Sequence, residues 1–381
     1  MAGRYSAISK ARVRPAALPS QPTPRPGTQS GLAAHGDEFA VIQHGTKSPS
    51  DAMLVAGRIC ELLAEPFQLG ALQVKVSASI GIAIGGVDGA TSNSLLRLAD
   101  MALYGAKAGG RGSYCFYSEE LNAKAQARGE LETGLTNALK NNELLVYYQP
   151  IVSAVTGEVT SFEALLRWQH PERGLVSPVD FIPLAEETGL IIPIGEWIFE
   201  QACADLARCP KHLTVSVNCS PVQVNSPRLV NSVKNALQKS GLPGERLRIE
   251  ITESSLMNEN SQVVARLEEL RALGVKISID DFGTGFSCLS YLQRYPVDCI
   301  KIDRSFVSRM GGEQDSTPIV VAIVGLATGL KMTTVAEGVE TAAQLRELAA
   351  MGCIEAQGYL FSPPRPAKDI LPLSNKLRDA A

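Results

Sequence analysis

Polar side chains that could bind metal or move protons follow a series of short apolar runs in the last two-thirds of the sequence. They are Glu163, Asn218, Glu250, Asp280, Asp281, Lys301, Asp303, Glu337 and Gln357. If the runs are strands of one barrel, their carboxyl ends meet at a single rim. Carboxylates gathered at one rim repel each other strongly unless cations neutralise them. The pattern therefore predicts a cation site.

The residue types at this rim indicate which cation would bind there. Oxygen ligands that include adjacent aspartates favour Mg²⁺ or Mn²⁺ over Zn²⁺, and no His or Cys accompanies them. Two such ions suit phosphodiester hydrolysis, because they activate water and offset charge on the attacking and leaving oxygens. Lys301 could position that water or neutralise the transition state. Arg167, four residues after Glu163, could hold a phosphate with its fork of donors.

The elements that must position these residues alternate along the chain. Eight apolar or β-branched runs predict strands at 144–152, 159–166, 213–220, 247–252, 276–282, 299–303, 333–339 and 355–361. Helical periodicity separates most of them, at 178–207, 226–240, 261–273, 286–294, 317–330 and 341–351. This order predicts an α/β fold, a TIM-like (β/α)₈ barrel. The connection 153–158 is too short for a parallel crossover, so we expect an antiparallel first strand.

The rest of the chain divides into three further segments. Residues 1–31 contain five prolines and basic residues but no acidic residue, so we expect a disordered Pro/Arg-rich segment. Residues 32–118 alternate between β-like and helical patterns and predict a small α/β domain. Residues 119–142 predict a connecting helix, and residues 143–373 form the barrel domain.

Composition limits the class of protein. Of 381 residues, 45% are hydrophobic and 20% are charged, which is typical of a globular protein. A net charge of −3 argues against DNA or RNA as a partner. No apolar run reaches the roughly 18 residues of a membrane span, so we expect no membrane partner. Eight cysteines without a CxxC pair predict reduced thiols and a cytoplasmic location.

The same strand ends carry a family resemblance. Glu163-Ala164-Leu165 lies in the segment SFEALLRW at 161–168. Further motifs follow in order: VSVN at 215–218, IEITE at 249–253, DDFGTG at 280–285, IKID at 300–303, VAEGVE at 335–340 and QGY at 357–359. Together they resemble the EAL family of cyclic di-GMP phosphodiesterases. The resemblance implies hydrolysis of cyclic di-GMP to linear pGpG.

The resemblance also implies roles for individual residues. One metal ion would be held by Glu163, Asn218, Glu250 and Asp280. Asp280 would also bridge to a second ion together with Asp281 and Glu337. The catalytic residues would be Glu337, Lys301 and Glu163. Glu337 would be either the general base or a residue that holds the water in place. Gln149, Arg167 and Gln357 would contact the substrate, and Glu253 would brace the loop 281–287.

A second resemblance covers the preceding domain. The run His35-Gly-Asp-Glu-Phe39, SIGI at 79–82 and the segment 99–107 resemble the C-terminal half of a GGDEF diguanylate cyclase domain. His35 replaces the first glycine of the motif, and its Cβ should impede a nucleotide. The residues before His35 predict no strand that could supply a metal carboxylate. We therefore expect a partial, degenerate GGDEF domain without cyclase activity.

Three functional hypotheses follow. The first is an active phosphodiesterase that lowers the level of a bacterial second messenger. The second is a non-catalytic cyclic di-GMP binding or regulatory protein, which loss of Glu163, Asn218, Asp280 or Glu337 would have favoured; none is lost. The third, compatible with the first, uses the degenerate GGDEF domain as a docking surface. The resemblance also allows a homodimer through the EAL domain.

Overall fold

The computed structural model describes residues 5–13, 30–35, 38–46, 48–69, 72–256, 261–283, 292, 294–312 and 314–370. The chain divides into two compact units, 1–131 and 132–381. The connecting helix predicted at 119–142 is present as Glu119–Ala138, and the boundary between the units falls within it. Most of the helix predicted at 286–294 lies outside the described residues.

The described strands of the first unit are β1 (Tyr5–Val13), β2 (Ser30–His35), β3 (Glu38–Thr46), β4 (Phe67–Leu69), β5 (Leu72–Val74), β6 (Ala78–Ile84) and β7 (Tyr114–Phe116). Five of them form one sheet with the strand order β2-β3-β1-β6-β7, and β4 and β5 form a separate hairpin. Two helices contact the sheet, α1 (Pro49–Ala64) and α2 (Ser92–Ala108). Because β6 is buried along its whole length, it forms the centre of this unit's core.

The strand Tyr5–Val13 corrects the prediction of a disordered N-terminal segment. It pairs antiparallel with β3 on one side and with β6 on the other. The prediction of disorder over 1–31 is therefore wrong for this stretch, although neither this strand nor Ser30–His35 carries an acidic residue that could bind a metal. The prolines that suggested disorder all follow residue 14, so every backbone N–H of β1 remains available for pairing. Residues 1–4 and 14–29 lie outside the described residues.

The described strands of the second unit are β8 (Leu144–Ser153), β9 (Val159–His170), β10 (Gly174–Val176), β11 (Thr214–Asn218), β12 (Leu247–Thr252), β13 (Lys276–Phe282), β14 (Cys299–Ile302), β15 (Thr333–Ala336), β16 (Glu355–Gln357) and β17 (Arg365–Pro366). Eight of them close into a barrel with the order β9-β11-β12-β13-β14-β15-β16-β8, where β8 also pairs with β9. Within the barrel β8 is antiparallel to both neighbours, and the other pairings are parallel. The predicted TIM-like barrel with an antiparallel first strand is confirmed.

Helices connect the parallel strands. After α3 (Glu119–Ala138) they are α4 (Pro178–Thr188), α5 (Ile191–Ala207), α6 (Pro221–Asn225), α7 (Leu229–Ser240), α8 (Glu253–Leu256), α9 (Ser261–Ala272), α10 (Arg304–Val307), α11 (Thr317–Gly329) and α12 (Ala342–Ala350), with 3₁₀ turns at Gly244–Arg246 and Ala367–Asp369. The single helix predicted at 178–207 is two helices, because the chain turns at Gly189, where φ is 76°. None of the described helices is long and apolar enough to cross a membrane.

Strand β14 shows how the barrel separates its two faces. Ile300, Lys301 and Ile302 are each at most 1% exposed. Because side chains alternate along a strand, the two isoleucines point to one face and Lys301 to the other. Strands of a parallel barrel are buried on both faces, which explains why a charged residue here lies as deep as its apolar neighbours. Such a residue needs partners of opposite charge.

Candidate active site

Lys301 lies at the centre of a cluster of carboxylates. Its Nζ is 2.7 Å from Glu250 Oε2 and 3.1 Å from Asp280 Oδ1. It is also 2.5 Å from Glu337 Oε1 and 3.8 Å from Glu163 Oε1. One ammonium group therefore faces four carboxylates, so the cluster keeps an excess of negative charge when all of them are ionised.

The barrel brings these residues together from separate strands. Glu163 lies on β9, Glu250 on β12 and Asp280 on β13, while Glu337 directly follows β15. Because neighbouring strands are parallel here, residues near their carboxyl ends share one rim. The sequence prediction that strand-end carboxylates converge therefore matches their placement in the structure.

An irregularity in β13 places two successive aspartates in the cluster. In a regular strand adjacent side chains point to opposite faces. Between Ile279 and Phe282, however, the register of β13 against β14 shifts, and Asp281 takes a φ of 54°. Ligand oxygens of Asp280, Asp281 and Glu337 consequently lie within 4.8 Å of one another. Aspartate tolerates this left-handed backbone better than most side chains.

Three amide side chains surround Glu163. Asn218 donates to its Oε1 at 2.6 Å, and Gln357 donates to its Oε2 at 2.6 Å. The Gln357 amide also donates to Gln149 Oε1 at 3.0 Å, and Gln149 in turn donates to the Ser362 carbonyl at 3.1 Å. Both oxygens of Glu163 are thus engaged, and this network fixes the orientation of its carboxylate.

Burial and charge shift the pKa values of the cluster. Burial raises the pKa of Glu250 to about 7 and that of Glu337 to about 8, although Lys301 opposes both shifts. The pKa of Asp281 is raised by burial and then by the negative charge of Asp280. Burial alone would lower the pKa of Lys301, but the surrounding carboxylates raise it well above its usual range. Lys301 therefore stays charged while Glu250 and Glu337 titrate near neutral pH.

The cluster opens into a cleft with a volume of about 320 Å³, a size typical of small-ligand sites. Its lining consists of Gln149, Glu163, Leu165, Asn218, Asp280, Arg304, Glu337, Gly338, Glu340, Gln357, Gly358 and Tyr359. Sequence reasoning gave no role to Arg304 or Tyr359. Arg304 is the second residue after β14, so the strand-end rule that identified the carboxylates could have included it.

Arg167 and Glu253, which were predicted as site residues, lie outside the carboxylate cluster around Lys301. Arg167 is not among the described residues that line the cleft. Its guanidinium carbon is 5.6 Å from the centroid of the Tyr147 ring, and its Nη1 donates to the Leu166 carbonyl at 2.8 Å. Glu253 follows β12, and its Oε2 accepts a hydrogen bond of 3.2 Å from the backbone N–H of Gly283. That bond joins Glu253 to the start of the loop that it was predicted to brace.

The donor set fits a hard divalent cation. Glu250 Oε1 is buried and has no hydrogen-bond partner among the residues that the structure describes, and an unsatisfied buried carboxylate oxygen is costly. The other ligand atoms at the rim are carboxylate and amide oxygens, which Mg²⁺ and Mn²⁺ prefer. The excess of negative charge around Lys301 also favours a cation.

Comparison with known families agrees with this geometry. The EAL domain model matches residues 133–364, and the model of the diguanylate cyclase GGDEF domain matches residues 29–113. The chain belongs to the EAL domain family. A GGDEF domain precedes its EAL domain, as the sequence motifs predict.

Several relatives share both regions. The chain is 43% identical over 340 residues to the bifunctional diguanylate cyclase/cyclic di-GMP phosphodiesterase MucR of Pseudomonas aeruginosa, covering 88% of this chain and 50% of the relative. It is 40% identical over 335 residues to the cyclic di-GMP phosphodiesterase PdeR of Escherichia coli, covering 87% and 50%. The chain therefore spans about half the length of these curated relatives.

Solved structures give the same result. The PaMucR phosphodiesterase in its c-di-GMP complex matches with a TM-score of 0.61 at 44% identity, covering 63% of this chain and 99% of that chain. The EAL domain of Mycobacterium smegmatis DcpA matches with a TM-score of 0.53 at 35% identity, covering 62% and 98%. Both matches span nearly all of the solved chain, so they support the barrel as a whole.

Proposed function

We propose that this protein is a metal-dependent phosphodiesterase that hydrolyses cyclic di-GMP to linear pGpG. The observation that carries the proposal is the carboxylate cluster around Lys301, which opens into a ligand-sized cleft. The names of MucR and PdeR support the choice of substrate. An all-oxygen cluster of this charge suits hydrolysis of a phosphodiester better than binding of an anionic ligand alone.

The residues divide into two proposed ligand groups. Glu163, Asn218, Glu250 and Asp280 would hold one ion, and Asp280, Asp281 and Glu337 would hold a second. When bound, Mg²⁺ or Mn²⁺ lowers the pKa of a water and offsets charge on phosphoryl oxygens. The unpartnered Glu250 Oε1 and the close approach of Asp280, Asp281 and Glu337 support this assignment.

Other side chains would act on the water and the substrate. Glu337 lines the cleft, where its carboxylate would accept a proton from the attacking water. Lys301 is buried below the cleft, so it would hold the carboxylates in place. Gln149 and Gln357 line the cleft and would contact the dinucleotide. Arg167 interacts electrostatically with Glu163 and Tyr359, which both line the cleft, and its guanidinium would hold a phosphate of the substrate.

Direct product analysis tests the proposal. Purified protein, cyclic di-GMP and Mg²⁺ or Mn²⁺ should give pGpG, resolved by chromatography, and EDTA should abolish the reaction. Substrate that survives with both ions between about pH 7 and 9 would refute hydrolysis. Tight binding of the intact substrate under those conditions would instead support the non-catalytic alternative.

We also expect no cyclic di-GMP from GTP, because His35 replaces the first glycine of the GGDEF motif.

We further propose a homodimer through helix α11. This helix has no charged residue, and its Ile319 and Val321 are 46% and 49% exposed. The two side chains lie at opposite edges of the exposed side of the helix, and exposed apolar surface of this kind is typical of a protein interface. Light scattering should give twice the monomer mass, and Val321→Arg should give the monomer. Val155→Arg, at a 79% exposed valine in the 153–158 turn, should leave the mass unchanged. A monomeric parent would refute the homodimer.

A further inference from the structure

Arg304 is the one positively charged side chain among the described residues that line the cleft. Four acidic residues share that lining, and the substrate of the proposed function is itself an anion with two phosphodiester groups. We propose that Arg304 is a substrate-binding residue whose guanidinium pairs with a phosphodiester of the cyclic dinucleotide. The inference rests on the proposed function, and it names a residue that none of the sequence motifs singled out.

The guanidinium of Arg304 has no ion pair or hydrogen bond to any described residue. Other arginines of the barrel domain are paired: Arg228 lies 2.8 Å from Glu196, and Arg248 lies 3.2 Å from Glu355. Arg304 is exposed and shares the cleft with Glu340, yet the two do not pair. Its donors are therefore available to a ligand.

The stem of Arg304 is fixed although its guanidinium is unpaired. Arg304 is the first residue of α10, and the preceding Asp303 caps this helix by accepting from the Ser305 N–H at 2.9 Å. Gly338 has a φ of 68°, and a Cβ built on it would lie 2.6 Å from Arg304 Cβ. The stem therefore lies against the loop that carries Glu337, which directs the residue to the wall of the cleft.

The chemistry of the cleft favours a phosphodiester over a guanine base as the partner. A guanidinium binds phosphate oxygens with two parallel hydrogen bonds, and the pair is charge-assisted. An anionic substrate that enters beside Glu163, Glu337 and Glu340 is repelled by their charges, and Arg304 would add to the compensation that bound metal ions supply. Arginine can also donate to O6 and N7 of guanine, so the experiment must separate the two contacts.

Steady-state kinetics of Arg304→Ala and Arg304→Lys with cyclic di-GMP test the proposal. We expect Arg304→Ala to raise KM about 10- to 100-fold while kcat changes little, because the lost contact is a hydrogen bond to a charged group. Arg304→Lys should recover part of the loss, since it keeps the charge without the fork. The matched control is Arg309→Ala, at an exposed arginine whose Nε donates to the Ser305 carbonyl at 2.8 Å. It should leave KM unchanged.

Two further measurements identify the group that Arg304 contacts. Added salt should raise KM of the parent more steeply than KM of Arg304→Ala. Arg304→Ala should weaken competition by cyclic di-AMP by the same factor as it weakens binding of cyclic di-GMP, because both ligands carry the same phosphodiesters. A changed ratio of the two affinities would show base recognition and overturn the phosphodiester contact.

Two results would overturn the role of Arg304 in binding altogether: an unchanged KM in Arg304→Ala, or an equal rise in KM in Arg309→Ala. If the parent protein does not hydrolyse cyclic di-GMP, the proposed function fails separately. Calorimetry with cyclic di-GMP and Ca²⁺ then decides the inference. A Kd about 10- to 100-fold weaker in Arg304→Ala supports it, and an equal Kd or no binding by the parent overturns it.

Discussion

Lys301 Nζ lies 2.7 Å from Glu250 Oε2, and each of these two residues is 1% exposed. Removing the charge of Lys301 would leave Glu250 buried without a cationic partner, which is more costly than losing an exposed ion pair. The pair therefore links the stability of the barrel to the chemistry of its rim. The same ammonium also faces Glu163, Asp280 and Glu337.

Lys301→Met tests this link. The substitution keeps most of the stem volume but removes the charge, so we expect a loss of about 3–5 kcal/mol in the free energy of unfolding. Urea denaturation in EDTA measures it. Lys239→Met is the matched control, because Lys239 forms an exposed ion pair with Glu200 and should cost at most about 1 kcal/mol. Equal effects of the two substitutions would contradict the buried role of Lys301.

The raised pKa values of Glu250 and Glu337 predict how the stability of the metal-free protein depends on pH. Folding raises these pKa values from 4.5 to about 7 and about 8, so the folded state binds more protons than the unfolded state between those limits. The stabilisation they contribute is complete below pH 4.5 and is lost as pH rises through about 7 and 8.

Urea denaturation in EDTA should therefore give a lower free energy of unfolding at about pH 8.5 than at about pH 5.5. Glu337→Gln removes one of the two titrations and should flatten the decrease. Saturating Mn²⁺ should reduce it as well, because bound metal favours the deprotonated carboxylates. A metal-free protein that becomes more stable over this interval would contradict the assigned shifts.

The hydrogen bond from the Gly283 N–H to Glu253 Oε2 predicts a role for Glu253 in the loop after β13. Glu253→Ala removes the acceptor, so the adjacent Asp280 and Asp281 should lose their fixed positions. We expect kcat to fall while the unfolding midpoint changes little, since one partly exposed hydrogen bond contributes only about 1 kcal/mol. Glu268→Ala, on the exposed side of α9, serves as the control. Unchanged kcat in Glu253→Ala would refute the bracing role.

Periodicity and strand ends made most of the barrel predictable. The run Ile300-Lys301-Ile302 alternates as a strand buried on both faces requires, and the position of Lys301 followed directly. The antiparallel β8 followed from the short 153–158 connection. These features depend on residues that are close together in the sequence, so the sequence alone is enough to predict them.

Other features depend on tertiary contacts and could not be predicted in the same way. The register shift that places Asp281 beside Asp280 requires β14 as a partner. The amide network around Glu163 joins residues separated by 194 positions in the sequence. The strand Tyr5–Val13 is stabilised by pairing with β3 and β6, and its own composition gives little sign of this. Tertiary pairing overrides weak local preference here.

The central claim is that the carboxylate cluster is the hydrolytic site, and Glu337→Ala tests it most directly. Turnover of cyclic di-GMP by the parent and by the variant would be measured with Mn²⁺, alongside calorimetry with Ca²⁺ in place of the catalytic ion. Because Glu337 would act on the water, we expect turnover to fall about 10²–10⁴-fold while Kd stays close to that of the parent. Turnover by Glu337→Ala at nearly the parental rate would contradict the claim.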